Sequence, residues 1–585
     1  MLQRMLVLLA AALPQLAFSQ LPTANAYVQQ NLVSDIPGFA AVTDPHLVNP
    51  WGMSTSASSP FWVTDNTTGL STLYNGSGAI TAVVVTIPAA KTGATAAPTG
   101  QVNNSTTGFV LANGKAASFI FAAEDGTISA WNGGTASTIM VNNSVTGAVY
   151  TGLAIGTSST LGPLLYAANL NSGNIDVFNG SFAPAKVAGG FTDAAIPSGF
   201  APYNIWNIAG KLYVTYAMQN TAKNNSVAGV GNGFVSVFDA DGNLQKHLIS
   251  NGPLNAPWGV ALAPATFGKF AGDLIVGNFG DGGVNAFDPN TGTALGTLQD
   301  TSGKPIQIQG LWALLFGNGK SGGDPNFLYF TAGILNGGAQ HGLLGSLAPP
   351  ATVIGAFNGA SNAPGSIAPG EAVVLSGIGI GPSPLASGKI PSTGSLATTL
   401  STTTVTINNT PAPILYASAS QTGILVPYEV AGSTTANVVV KSGSQTTASF
   451  QVNVASSAPG IFTTTTSGSG QAVAFNQDGS VNSSQNPASA GQVIVIYATG
   501  EGATDPGGQD GFVIGDILKT PLLPVSITIG NQPATVAYAG SAPGEISGVL
   551  QVEAIVPKGA GTGAVPVVLT VGSASSQTTA TISLQ

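Results

Sequence analysis

The chain of 585 residues has no cysteine, three histidines and only 14 lysines and arginines together. Without cysteine there is no disulfide, no thiol nucleophile, no zinc–thiolate site and no lipid attachment at an N-terminal Cys. Set against 23 acidic residues, the basic ones leave a formal charge of -9, which excludes a nucleic-acid binder that works by neutralising runs of phosphates. Charged residues make up 6% of the chain, where an ordinary soluble domain has roughly 25%. Long surface helices solvate one face with Glu, Lys and Arg, so this scarcity predicts a chain that is mostly β. Turn formers and apolar residues are plentiful instead: 78 glycines, 37 prolines and 44% hydrophobic residues, enough for several cores over a length that allows two to four domains.

At the N-terminus Arg4 precedes an apolar run from Met5 to Leu13, then Pro14 and the small residues Ala17 and Ser19. This order predicts a signal peptide over residues 1–19, cut near Ser19 and Gln20, because the run is too short to span ~30 Å of hydrocarbon. No later run reaches the ~18 apolar residues of a transmembrane helix. The expected location is therefore outside the cell or on its surface, with the periplasm as the alternative, and with no membrane-spanning segment after cleavage.

Between residues 50 and 345 one unit recurs. Its second strand reads Phe61-Trp-Val-Thr-Asp-Asn66, Phe119-Ile-Phe-Ala-Ala-Glu-Asp125, Leu164-Leu-Tyr-Ala-Ala-Asn169, Lys211-Leu-Tyr-Val-Thr-Tyr216, Asp273-Leu-Ile-Val-Gly-Asn278 and Phe327-Leu-Tyr-Phe-Thr-Ala332. A third strand ending in an aromatic follows, as in Gly126 to Trp131 and Gly173 to Phe178, and a short apolar strand opens the unit, clearest in Asn49-Pro-Trp-Gly52 and Ala256-Pro-Trp-Gly259. The second strands start 58, 45, 47, 62 and 54 residues apart, close to a propeller blade and too long for a β-helix rung. One such unit cannot cover both its faces, so six are expected to pack around an axis as a six-bladed β-propeller over residues 20–348. The sixth copy is a strand short, and Ala26 to Val33 is the expected closing strand.

These residues resemble a family of uncharacterised secreted bacterial β-propeller proteins over positions 25 to 347. The stretches that carry the resemblance are Asn31 to Asp35, Asp44-Pro-His-Leu-Val-Asn-Pro-Trp-Gly52, Glu124 to Thr127, Gly277 to Gly282, Leu311-Trp312 and His341-Gly342. The resemblance implies the fold and no activity.

After Ala351 charge falls further while Ser, Thr, Ala and Gly rise, and two units align with each other. Val405-Thr-Ile-Asn-Asn-Thr-Pro-Ala412 answers Ile527-Thr-Ile-Gly-Asn-Gln-Pro-Ala534, and Tyr416 answers Tyr538 at the same offset of 122. Period-2 alternation and Gly/Pro/Asn turns predict an Ig-like β-sandwich over 351–455 and another over 456–585. Through Tyr497 to Gly502, Val536 to Gly540 and Ala542 to Gly544, this half resembles the C-terminal domain of many secreted acidobacterial proteins, which has no assigned chemistry.

Chemistry is hard to place on this chain. His46 and His341 sit at turns near the two ends of the repeat region and are expected to bond loops where the ring closes, while His247 follows Lys246 on a polar strand. No Gly-x-Ser-x-Gly elbow with a following helix accompanies them, so no catalytic residue is assigned. Asp239-Ala-Asp-Gly-Asn243 begins like a calcium loop, but its twelfth position is Ser250 where a bidentate Glu is needed, and a hairpin turn explains it.

Blade geometry suggests a different set. The loops after the second strands and those entering the first strands open on one face, which brings Asp65, Asn66, Glu124, Asp125, Asn169, Asn278 and Asp281 into question as a ligand-binding group. The same residue types also cap turns at repeat corners. Two functions stay open. One is an exported, non-catalytic protein whose propeller binds an extracellular glycan, peptide or surface protein, with the Ig-like units as spacer or attachment and no cofactor. The other is a metal-dependent hydrolase or lactonase holding calcium or a similar ion on those acidic loops.

Overall fold

The computed structural model describes residues 24–382, 384–443 and 445–585, and the expected signal peptide lies outside them. Apart from three single-turn 3₁₀ helices, every regular element among these residues is a strand. No helix among them is long and apolar enough to cross a membrane. The described chain separates into two compact units, one ending at Pro349 and one running from Pro350 to Gln585.

The first unit is propeller-like. Six antiparallel sheets follow one another in the chain, over residues 50–86, 98–142, 150–179, 200–250, 257–297 and 311–348. The first strand of each sheet packs against the first strand of the next, and Leu311–Phe316 of the sixth returns to Pro50–Ser54 of the first. Val28–Ser34 pairs antiparallel with Ala339–Ala348, so N-terminal chain forms the outer part of the sixth sheet. His341 Nδ1 bonds Asp35 Oδ2 at 2.6 Å and the Gly342 N–H donates to Asp35 Oδ1, fastening that junction.

The Pro-Trp-Gly repeat has a physical cause. Every first strand carries a β-bulge at the same place, between Pro50 and Met53, Pro98 and Gln101, Tyr150 and Gly152, Pro202 and Asn204, Pro257 and Gly259, and Leu311 and Leu314. A bulge frees a backbone N–H from its ladder. In the first sheet the Gly52 N–H is taken up by Thr64 Oγ1 at 2.8 Å, and that hydroxyl donates onward to Thr99 O of the second sheet. The sixth sheet repeats the device with Ala313, Thr331 and Trp51 O, which links the last sheet to the first. At Gly52 and Gly259 an added Cβ would overlap the backbone of the following sheet at Thr99 and Trp312, so glycine sets how closely the sheets approach.

The third sheet has only the three strands of the expected unit, Tyr150–Ser158, Gly162–Asn169 and Asn174–Asn179, whereas the first, second, fourth and fifth sheets each add a fourth, outer strand. The outer edge of the third sheet is covered by an irregular segment in which the Ala185 N–H donates to Val177 O while Pro184, lacking an N–H, interrupts any ladder. In the second unit, two sheets containing Ala372–Ile378 and Thr403–Ile407 enclose one core with Leu375, Val405, Ile414 and Val438. Within residues 460–584 ten strands instead form one continuous sheet, with Thr504–Asp505 and Thr520–Pro521 paired apart from it, because the long strand Gln532–Ser541 pairs with Val525–Ile529 along one part and Leu550–Ile555 along another. That sheet coils around Ile494, Ile527, Val552 and Val567, where two separate facing sheets were expected.

Candidate functional site

One backbone hydrogen bond recurs at the same corner of all six sheets. In the first five sheets the residue after the second strand donates to the residue before the first, Asn66 to Asn49, Glu124 to Ala97, Leu170 to Val149, Gln219 to Gly199 and Phe279 to Ala256, and in the sixth Gly333, inside the longer strand Leu328–Asn336, donates to Gly310. This bond defines which residues are truly equivalent around the mouth. Asn66, Glu124, Gln219 and Phe279 share one position, and their side chains reach into the neighbouring sheet. Asn66 meets Glu124, Gln219 Nε2 donates to Leu170 O, and Phe279 stacks on Trp312 at 4.0 Å.

The axis of the unit is filled with aromatic rings. Trp51 and Trp312 stack at 3.6 Å, Trp258 stands edge-on to Trp312 at 5.9 Å, and Tyr203 lies 6.1 Å from Trp312. Trp258 crosses from the fifth sheet to donate its indole N–H to Thr151 O of the third. Above this plug runs a chain of side chains whose direction is set by obligate donors. Trp312 Nε1 donates to Asn49 Oδ1 at 3.1 Å, Asn49 Nδ2 to Asn66 Oδ1 at 3.2 Å, and Asn66 Nδ2 to Glu124 Oε2 at 3.3 Å. The bond from Asn66 Nδ2 to Pro98 O confirms the amide's orientation, since a carbonyl can only accept.

Glu124 ends this chain on the wall of a cleft of about 530 Å³, half-buried. Burial pushes its carboxyl above the usual range, the Asn66 amide opposes that, and the nearby Asp125 adds to it. Around it the cleft presents Ala89, Ala90, Ala94 and Val149, with Lys91 on the same lining.

The other expected site residues serve the corners. Asp125 lines the same cleft, but its oxygens accept from the N–H groups of Ala90 and Thr127 and from the Thr127 hydroxyl. Asn169 Oδ1 accepts from the Val149 and Ser172 N–H groups, Asn278 Oδ1 from the Asn255 N–H, and Asp281 from Gly283 N–H and Asn255 Nδ2. Asp65 is fully buried. Its Oδ2 accepts from Thr72, its Oδ1 has no partner, and burial raises its pKa well above the usual carboxylate range. The structure therefore joins Asn66 and Glu124, while Asp125, Asn169, Asn278 and Asp281 accept from backbone N–H groups at the corners and Asp65 is buried against Thr72. Among the described residues no three His, Asp or Glu side chains are grouped to hold a metal ion.

Each of the three histidines meets an aspartate through Nδ1. His46 pairs with Asp44 at 2.9 Å and His341 with Asp35, both beside the joined ends of the unit. His247 pairs with Asp193 at 2.7 Å, and its other nitrogen lies 2.7 Å from Ser250 Oγ, an arrangement that the sequence alone does not reveal. The Asp239 segment is a hairpin, with Asp239 Oδ1 accepting from the Asp241 and Asn243 N–H groups.

No family model matches the chain. The uncharacterized protein R648 of Acanthamoeba polyphaga mimivirus is 34% identical over 297 residues, covering 48% of this chain and 72% of that protein. Its counterpart L690 from the same virus is 33% identical over 296 residues, covering 48% and 77%. Among solved structures, virginiamycin B lyase from Staphylococcus aureus gives a TM-score of 0.32 at 12% identity, over 55% of this chain and 99% of that one. Aldose sugar dehydrogenase from Streptomyces coelicolor, in its PQQ-bound form, gives 0.31 at 11%, over 56% and 100%. Scores this low carry no chemistry to this chain. Nothing in these comparisons supports the acidobacterial-type resemblance of residues 351 to 585.

Proposed function

The chain belongs to the family of the uncharacterized mimivirus proteins R648 and L690, and on that premise we propose that it is an exported binding protein. Its N-terminal unit acts as a six-bladed β-propeller that holds a short peptide at Glu124, and its C-terminal β units serve as spacer or attachment. The six-bladed reading rests on six sheets in closed succession and on the corner bond repeated six times. The observation that carries the binding reading is the Asn66–Glu124 bond. It joins two sheets and presents a half-buried carboxylate to a cleft of about 530 Å³.

A carboxylate in a partly desolvated wall attracts an ammonium group more strongly than one in open water. Lys91 on the same lining offers the opposite charge, Asp125 is already engaged by the Ala90 and Thr127 N–H groups, and the rest is small, with Thr95 and Ser144 as its hydroxyl-bearing members. A peptide with free termini matches both charges, whereas the lining has no aromatic ring on which a sugar would stack. The calcium reading is less well supported, because Asn66 turns N–H rather than oxygen towards Glu124 and its Oδ1 already accepts from Asn49. The test is a thermal-shift comparison of the full chain with trialanine, N-acetyl-trialanine, calcium chloride and chelator. Stabilisation by trialanine alone is expected. A shift with calcium that chelator reverses would favour the metal reading instead.

A further inference from the structure

We propose that Asp193, His247 and Ser250 form a nucleophilic acyl-transfer site on the outer strand of the fourth sheet, acting on carboxylic esters. It lies apart from the Glu124 cleft and rests on different observations. Ser250 Oγ is 2.7 Å from His247 Nε2, and His247 Nδ1 is 2.7 Å from Asp193 Oδ2. Nucleophile, base and orienting acid thus stand in the order that such chemistry requires.

Local structure produces this arrangement. Both His247 and Ser250 lie on Leu244–Ser250, where residues three apart in a regular strand would point to opposite faces. Val235 pairs with Ile249 and Ser236 pairs with His247, so Leu248 is an extra, bulged residue. The bulge sends Leu248 and Ile249 into the core while His247 and Ser250 come together, the re-aiming of side chains that bulges accomplish. Asp193 arrives from the irregular segment that covers the edge of the third sheet. Its side chain is 2% exposed and that of His247 is 25% exposed, while Ser250 is open to solvent.

The carboxylate is held in its ionised form. Burial alone would raise the pKa of Asp193, but hydrogen bonds from Ser236 Oγ, from His247 and from the Ala195 N–H outweigh it and bring it below the usual range. An ionised carboxylate can only accept, so His247 carries its proton on Nδ1. That leaves the Nε2 lone pair to accept from the Ser250 hydroxyl.

The reaction balances with water as the only co-reactant. Ser250 Oγ attacks the ester carbonyl carbon and its proton passes to His247 Nε2. The tetrahedral species collapses with cleavage of the carbon–oxygen bond, and the departing alkoxide takes the proton from Nε2. Water then gives a proton to the same nitrogen as its oxygen attacks the acyl carbon, the bond from that carbon to Ser250 Oγ breaks, Oγ takes the proton back from Nε2, and the carboxylic acid leaves. An open strand position suits esters on larger or extended molecules, and an alkoxide departs more readily than the amine of an amide.

The test treats the full chain with a fluorophosphonate probe and measures p-nitrophenyl acetate hydrolysis. One probe per chain on Ser250, located by peptide mass, is expected. Ser250→Ala and His247→Ala should lower turnover at least 100-fold; Ser250 is exposed and His247 partly so, and unchanged melting curves would exclude misfolding. Asp193 is a positioning residue, so Asp193→Asn should lower kcat at least tenfold with KM unchanged. A native chain that leaves Ser250 unlabelled, or a Ser250→Ala chain that hydrolyses the ester at the native rate, would overturn the proposal.

Discussion

Trp312 Nε1 donates to Asn49 Oδ1 at 3.1 Å across 263 residues of chain, in a part of the molecule closed to water. The bond ties the sixth sheet to the first and fixes the direction of the amide chain that ends at Glu124. Asn49 also holds a left-handed backbone with φ at 50°, which asparagine tolerates better than most residues.

Asn49→Ala should therefore destabilise the N-terminal unit by about 2–4 kcal/mol. It leaves the Trp312 N–H and Asn66 Oδ1 without partners, each costing roughly 1–3 kcal/mol when buried, and it adds the cost of a left-handed alanine. Differential scanning calorimetry should show the first unit's transition lowered and the second unit's unchanged.

Close approach between sheets gives a second prediction. A Cβ added at Gly152 would overlap Asn204 Oδ1 and lie 2.6 Å from Asn204 Cα, which belongs to the next sheet's backbone. Gly152→Ala should cost more than about 3 kcal/mol, since backbone must shift to relieve the overlap. Gly173→Ala, where nothing lies within 4 Å, serves as the comparison and should be mild apart from its left-handed backbone. Equal losses at the two sites would contradict the packing account.

The second unit should lose stability as pH rises. Burial pushes Glu371 up to about 8, against the hydrogen bonds from Ala368 and Asn358, and pushes Glu501 up to about 7. Glu501 Oε2 is buried without a partner. Both pKa values are higher folded than unfolded, so between pH 4.5 and about 8 the native state binds more protons and stability falls with pH. Glu501→Gln should remove its share, on the order of 2–3 kcal/mol at pH 8.5, and flatten the slope. Melting of residues 350–585 followed from pH 5 to 8.5 in both chains measures this. A native unit that is more stable at pH 8.5 than at pH 5 would contradict it.

How much of this was legible in the sequence depends on how local each feature is. The all-β class followed from the scarcity of charge, and the repeat from six similar second strands. Pro-Trp-Gly was visible as a marker, but its role was not, because the bulge and the Trp258–Thr151 bond depend on sheets that are distant in sequence. Asn66 and Glu124 were found because both follow a second strand. Asp65, Asn169 and Asn278 were grouped with them although they sit one residue earlier, where side chains turn back to their own corners. Asp193, His247 and Ser250 escaped because a bulge at Leu248 and an irregular loop bring them together, and neither has a sequence period. The continuous sheet of residues 460–584 was hidden for a similar reason, since alternation along a strand does not say where a long strand changes partners.

The most direct test of the binding account is calorimetric titration of the full chain and of Glu124→Gln with trialanine. The substitution keeps the side chain's shape and its oxygen for Asn66 while removing the charge that faces the cleft. The account predicts saturable binding by the native chain and at least tenfold weaker binding by the variant, with unchanged melting in the absence of peptide. Binding by Glu124→Gln within twofold of the native value would contradict it.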